Sequence, residues 1–291
     1  MLSYPSVQAP SPRDRILIVA PHMDDETIGA GGYAIDAIRR GTEVYVVFLT
    51  AGDRARLAAR LIHRKFDPAP SDYVSVGHAR IQEASDAMAI LGVPSERWFV
   101  LGYPDHGLRS MLARPTEVIR SAATRLTSIP YEEALSPGAD HTLQNMMADL
   151  QTVISICKPT TVIAPVSFDV HPDHNATSDL LDLVLDRTQG SPTRLGYLVH
   201  SNGIKPLRWQ RDRAVVPPPQ MRSYAWTSYD VSRDAQHLKY QMLQSYRSQR
   251  PYSILLRNAF VRTNELFFAY APMSVQVEHA PLVACADGLS A

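Results

Sequence analysis

The chain has 291 residues, 45% of them hydrophobic, enough for a sizeable core in one large domain or two small ones. Its 29 Lys and Arg balance 29 Asp and Glu, so composition gives no sign of nucleic-acid or anionic-membrane binding. No apolar run approaches the roughly 20 residues that span a bilayer, and the Pro/Ser-rich start lacks the apolar stretch of a signal peptide, so a soluble cytoplasmic protein is expected.

The continuous apolar run 15–20 predicts a strand buried on both faces. Residues 26–40 read as a helix, with Ile28, Ile35 and Ile38 at helical spacing and Gly41 placed to cap it. Within it, Gly29-Ala30-Gly31-Gly32 lacks the spacing of a dinucleotide fingerprint and is read as close helix-to-sheet packing. A second buried strand follows at 43–50. Residues 54–74 are expected to be a surface excursion, 76–91 a helix and 97–101 a third strand. The stretch 104–140 carries one weak helical pattern, at 115–127. A clear amphipathic helix occupies 143–157, stopped by Lys158-Pro159, and strands are expected at 161–166 and 195–200. Cys157 falls on the apolar face of its helix, as a packed thiol. Beyond a Pro217-Pro218-Pro219 link, an edge strand is expected at 223–229 and a helix at 231–246.

Strand and helix alternate, which predicts an α/β fold: a Rossmann-like, mostly parallel sheet with helices on both faces and a smaller C-terminal α+β extension. The expected division is a catalytic core over 14–205, a C-terminal subdomain over 206–270 packed on it, and loose tails at 1–13 and 271–291.

Two clusters carry the chemistry. Pro21-His22-Met23-Asp24-Asp25-Glu26 follows the first strand, and His171-Pro172-Asp173-His174 follows the fourth. In an open α/β sheet, ligands bind beyond the carboxyl ends of the strands, so both loops are expected to meet at one crevice. Zinc in a hydrolase takes three His or carboxylate ligands and keeps a position for water. His22, one of Asp24 and Asp25, and one of His171 and His174 would make such a set. The remaining carboxylate and imidazole would then act as a base on water and as an oxyanion partner. Taken singly, each cluster also reads as a helix start, acid-rich in one case and proline-initiated in the other.

These residues resemble the PIG-L-type (LmbE-like) family of zinc-dependent N-acetylglucosaminyl deacetylases. Further likeness lies in Thr50-Ala51-Gly52-Asp53, Arg80 and Glu83, the 101–105 stretch ending in Asp105, the 245–249 stretch, and Arg262 to Glu265. The resemblance implies His22, Asp25 and His174 as zinc ligands, with Fe2+ as another metal for the same groups. It implies Asp24 as the general base, His171 as an imidazolium serving the oxyanion or the leaving amine, and Asp173 as the group orienting His171. Arg80 and Asp105 become candidate contacts to substrate hydroxyls, and His200, ending the fifth strand, is a further substrate candidate. Glu26 is expected to be structural. The sequence departs from the family pattern at Met23, where proline is usual, at His106, where a small residue is usual, and in the long 104–140 stretch.

The expected activity is hydrolytic removal of an N-acyl group, N-acetyl foremost, from a small-molecule amino sugar or glycoconjugate. The alternatives are an amidase for a non-sugar or thiol-conjugate amide, and a catalytically inert sugar-binding relative. No nucleic-acid or membrane partner is expected, and homo-oligomerisation is left open.

Overall fold

The computed structural model describes residues 4–188, 190–201, 212–249 and 259–270. The tail expected at 271–291 lies outside them. Its centre is one seven-stranded sheet in the order β3-β2-β1-β4-β5-β7-β6. β1 (Arg15–Ala20), β2 (Glu43–Thr50), β3 (Trp98–Tyr103), β4 (Thr161–Pro165) and β5 (Thr193–Tyr197) are mutually parallel. β7 (Asn264–Ala269) and the edge strand β6 (Trp226–Asp230) complete the sheet in antiparallel register. The parallel part is built from the predicted apolar runs. Ile16, Leu17, Ile18 and Val19 are wholly buried, each such side chain contributing about 1.5–3 kcal/mol relative to exposure.

Strand order reverses between β1 and β4, because the chain builds outward through β2 and β3 and then returns to the other side of β1. That switch point is where a doubly wound sheet opens a crevice beyond its strand ends. The helices α1 (Asp25–Arg39) and α6 (Pro172–Leu185) start there. The glycines of α1 serve close packing as expected: a Cβ on Gly29 would stand 2.4 Å from the Tyr197 ring of β5. α5 (Leu143–Cys157) matches its predicted span, with Cys157 buried.

Several local expectations differ from the structure. The 54–74 excursion contains α2 (Arg56–His63), and α3 (Pro70–Leu91) starts earlier than its apolar pattern suggested. The Arg, Leu and Ala residues of α2 are strong helix formers, and Ala58 and Ala59 bury against Val76 of α3. The helix predicted at 115–127 is absent. A short α4 (Leu108–Ala113) stops before Pro115, and Ser121 and Thr124 hydroxyls accept the backbone N–H groups of Thr124 and Leu126 instead. β7 was not foreseen, although 266–270 is a run of apolar and aromatic residues. α7 (Arg233–Ser245) precedes it and packs on α1 and α3. The N-terminal stretch expected as a loose tail runs beside β6, with Val7 N–H donating to the Ser228 carbonyl at 2.9 Å. Among the described residues no helix is long and apolar enough to cross a membrane.

Candidate active site

Both clusters converge at the switch point. His22 lies in the loop after β1, Asp24 is the last residue before α1, and Asp25 and Glu26 form its first turn. His171 caps α6, whose first turn carries Asp173 and His174. Asp105 arrives from the loop after β3. Asp25 Oδ2 stands 3.1 Å from both His22 Nδ1 and His174 Nε2. The other face of His22 meets two more acids, with Nε2 at 3.1 Å from Asp173 Oδ2 and 3.3 Å from Asp105 Oδ1. Above this floor opens a crevice of about 380 Å³, bordered by His22, Asp24, Asp25, Arg80, Asp105, His106, His171 and His200.

Charge is concentrated here on buried side chains. Burial alone would lower the pKa of His22, but hydrogen bonds and charge from Asp105, Asp173 and Asp25 outweigh it and hold the imidazolium form. Burial likewise opposes charge on His174, and Asp25 and Asp169 overcome it, raising its pKa to about 9. Asp25 is held well below the usual carboxylate range: burial opposes ionisation, and His174 and His22 prevail. His171 goes the other way. Burial, then electrostatic repulsion from the neighbouring imidazoles of His22, His174, His200 and His106, lowers it to about 2. It is therefore neutral in the metal-free protein. Its Nδ1 accepts the Asp173 N–H at 3.2 Å, which leaves its ring proton on Nε2.

Two predicted residues occupy places that sequence did not foresee. The Asp173 carboxylate, expected to orient His171, faces His22 and accepts the N–H groups of His106 and Leu108; only its backbone reaches His171. Arg80 is 4% exposed, and its guanidinium donates to the carbonyls of Met23 at 2.6 Å and Gly52 at 2.9 Å, with Nη2 3.9 Å from Asp24 Oδ1. It thus ties together the loops after β1 and β2 while bordering the crevice. His200 lies beside both motif histidines, its ring edge-on at 4.8 Å from that of His174 and tilted at 5.2 Å from that of His171.

Asp169 escaped the sequence reading. Its Oδ2 stands 3.2 Å from His174 Nδ1 and accepts the N–H groups of Val199 and His200, while Oδ1 accepts that of His171. A carboxylate behind an imidazole is how metal-binding histidines are oriented. The available signal was an acid two residues before His171, just past an apolar strand.

Asp53 adds a pH-dependent element. Tyr131 donates to its Oδ2 at 2.7 Å, yet burial and the neighbouring Asp105 charge push its carboxyl up to about 7 from 3.8. A raised carboxyl pKa means the folded chain holds a proton that the unfolded chain has lost, so stability falls as pH rises from about 4 to about 7 and is level above that. The shift of about 3 units corresponds to an upper value of about 4 kcal/mol. Asp53→Asn should therefore gain thermal stability relative to the parent as pH increases from 5 to 8, both chelated. A Tm difference that does not change over this range would contradict the assignment.

The stretch 17–185 matches the family model described as GlcNAc-PI de-N-acetylase, more than half of the 291-residue chain. The chain belongs to the PIG-L family. Among curated relatives it is 35% identical over 190 residues to a 1D-myo-inositol 2-acetamido-2-deoxy-alpha-D-glucopyranoside deacetylase of Mycobacterium sp. (strain KMS), covering 64% of this chain. The chain spans about half the length of the curated relatives it matches, 55% in that case. Among solved structures, the antimicrobial reagent A40926 pseudoaglycone deacetylase superposes with a TM-score of 0.57 at 21% identity, covering 88% of this chain and 97% of that one. The 4-carboxy-2-hydroxymuconate hydratase of Pseudomonas putida superposes at 0.54 with 18% identity, covering 84% and 82%. These two share the fold, and a hydratase among them shows that a PIG-L-like fold does not by itself fix the reaction.

The PIG-L donor set suits a divalent metal. Among the described residues, His22, His171 and His174, then Asp25, His174 and His200, then His22, Asp105 and Asp173 each bring ligand atoms within 4.8 Å of one another. Both ring nitrogens of the fully buried His174 lack a hydrogen bond of acceptable geometry, although each is close to a carboxylate. Donors around a tetrahedral ion at 2.0–2.1 Å stand about 3.3 Å apart. The 3.1 Å separations of Asp25 Oδ2 from His22 and His174 match that spacing.

Proposed function

We propose that this protein is a zinc-dependent N-deacylase that hydrolyses the N-acetyl amide of an amino sugar or glycoconjugate. The observation that carries this is Asp25 Oδ2 standing 3.1 Å from both His22 Nδ1 and His174 Nε2, on a crevice that Asp24 and His171 also line. His22, Asp25 and His174 would hold the metal. Bound zinc would supply Lewis acidity and lower the pKa of water from about 16 to about 7.

Asp24 accepts the proton of the attacking water, which adds to the amide carbonyl carbon. His171, whose Nδ1 accepts the Asp173 N–H, donates a hydrogen bond from Nε2 to the resulting oxyanion. The C–N bond then breaks, and the amine departs with the proton that Asp24 had taken. Asp169 and Asp173 fix the orientation of His174 and His22, and Arg80 anchors the loop that presents Asp24. Arg80 and Asp105 are engaged by internal partners, so substrate hydroxyls are assigned to the more open rim at Arg54, His106 and His200.

The test is acetate release from N-acetylglucosaminyl conjugates against a panel of non-sugar amides. Turnover should be greatest on the sugar compounds, disappear with a chelator and return with one equivalent of Zn2+. Release from non-sugar or thiol-conjugate amides alone would favour the amidase alternative. No release from any amide by metal-loaded protein would overturn the enzyme reading.

A further inference from the structure

Asp24 is held at φ 132° and ψ −20°, a backbone conformation that an L residue adopts only when its surroundings impose it. One buried carboxylate holds the amide of this turn. Glu26, 1% exposed, accepts the Asp24 N–H on Oε2 at 3.1 Å. Its other oxygen, Oε1, accepts the hydroxyls of Thr27 and Tyr246, the latter at 2.5 Å.

Tyr246 is fully buried at the end of α7 and lies 220 residues from Glu26 in sequence, well outside the 17–185 stretch that matches the family model. Two residues further on, Ser248 donates its N–H and its hydroxyl to the two carboxylate oxygens of Glu83, both at 2.7 Å. Glu83 sits one turn along α3 from Arg80, whose guanidinium holds the Met23 carbonyl. The segment leaving α7 therefore reaches the Asp24 loop by two separate routes, one through Glu26 and one through α3.

We infer that Tyr246 is a positioning residue for catalysis: its hydroxyl fixes the Glu26 carboxylate, which in turn fixes the strained backbone of Asp24 and so the direction of the base. This deepens the proposed deacylase reading and rests on it. A carboxylate free to turn would let the Asp24 backbone relax toward an ordinary helix start and carry the base away from the water. Misplacement on the order of 1 Å costs about 100-fold in rate.

The experiment is Tyr246→Phe, which keeps the ring and its packing and removes only the hydroxyl. The metal-loaded variant should lose 10- to 100-fold in kcat with KM within about twofold of the parent. Its Asp24 amide should exchange hydrogen at least tenfold faster, while amides in the last turns of α1 keep the parent rate. In an Asp24→Asn background the same change should alter residual turnover by less than twofold, because the residue acts through Asp24. Unchanged kcat and unchanged Asp24 exchange would overturn the inference, as would an equal loss of kcat in both backgrounds. If the parent protein releases no amine from any N-acylated amino sugar, the deacylase reading falls, and the exchange rate at Asp24 alone decides the clamp.

Discussion

Asp24→Asn should lower kcat by 100- to 10,000-fold while leaving one metal ion bound per chain. The amide has nearly the shape of the carboxylate, so the strained turn and its bond to Glu26 are retained. What disappears is the capacity to take a proton from water, and a positioned general base contributes a factor of this size. In the proposed ligand set the carboxylate oxygen comes from Asp25, which stands 3.1 Å from both His22 Nδ1 and His174 Nε2, and not from Asp24. The paired control is Asp25→Asn, which should lose activity and metal together. Turnover assays alongside metal analysis separate the two. A fully active Asp24→Asn protein would move the base elsewhere. Loss of metal from it would make Asp24 a ligand.

The two roles were distinguishable in sequence only through family likeness; the residues alone left Asp24 and Asp25 open. Local pattern did reveal that His22 and His171 follow buried strands, because a strand buried on both faces has to be apolar throughout and so stands out in a sequence. The switch-point rule then brought the two loops together without coordinates. What stayed hidden depends on tertiary partners. Asp169 is an ordinary loop acid until His174 is seen behind it. The Asp173 carboxylate turns to His22 because the N–H groups of His106 and Leu108 wait there, contributed by a loop nearly 70 residues away. α2 was obscured because Arg-rich, Pro-flanked sequence resembles a loop, although its Ala pair needs only a small buried contact with Val76. β7 was missed because its start, Asn264-Glu265, is polar, and the reason is its attachment to α1 rather than strand formation.

That attachment predicts a large stability effect. Lys239 and Glu265 form an ion pair at 2.6 Å with side chains only 2% and 3% exposed. Lys239 Nζ donates to the Ile28 carbonyl at 2.9 Å, and Glu265 accepts the N–H groups of Gly32 at 2.6 Å and Tyr33 at 2.8 Å. Ile28 and Gly32 are i and i+4, so two backbone groups that a helix pairs with each other each take a side-chain partner here. Gly32 leaves room for both neighbours: a Cβ there would stand 2.7 Å from the Val231 side chain and 3.1 Å from the Glu265 oxygen. Lys239→Met keeps the length and the apolar stem but strands Glu265 as a buried charge without its cation, a defect that costs about 3–5 kcal/mol. At about 2–4 °C per kcal/mol for a domain of this size, Tm should drop by about 10 °C. Adding Glu265→Gln removes the stranded charge and leaves an amide oxygen for one N–H, so the double variant should be more stable than Lys239→Met alone. Because α1 begins with Asp25, the single variant should also bind metal more weakly, read by competition with a chelating dye. A Lys239→Met protein melting within 1 °C of the parent would mean that the pair contributes nothing beyond its own desolvation, and the tie between α1 and the last strand would have to come from packing alone.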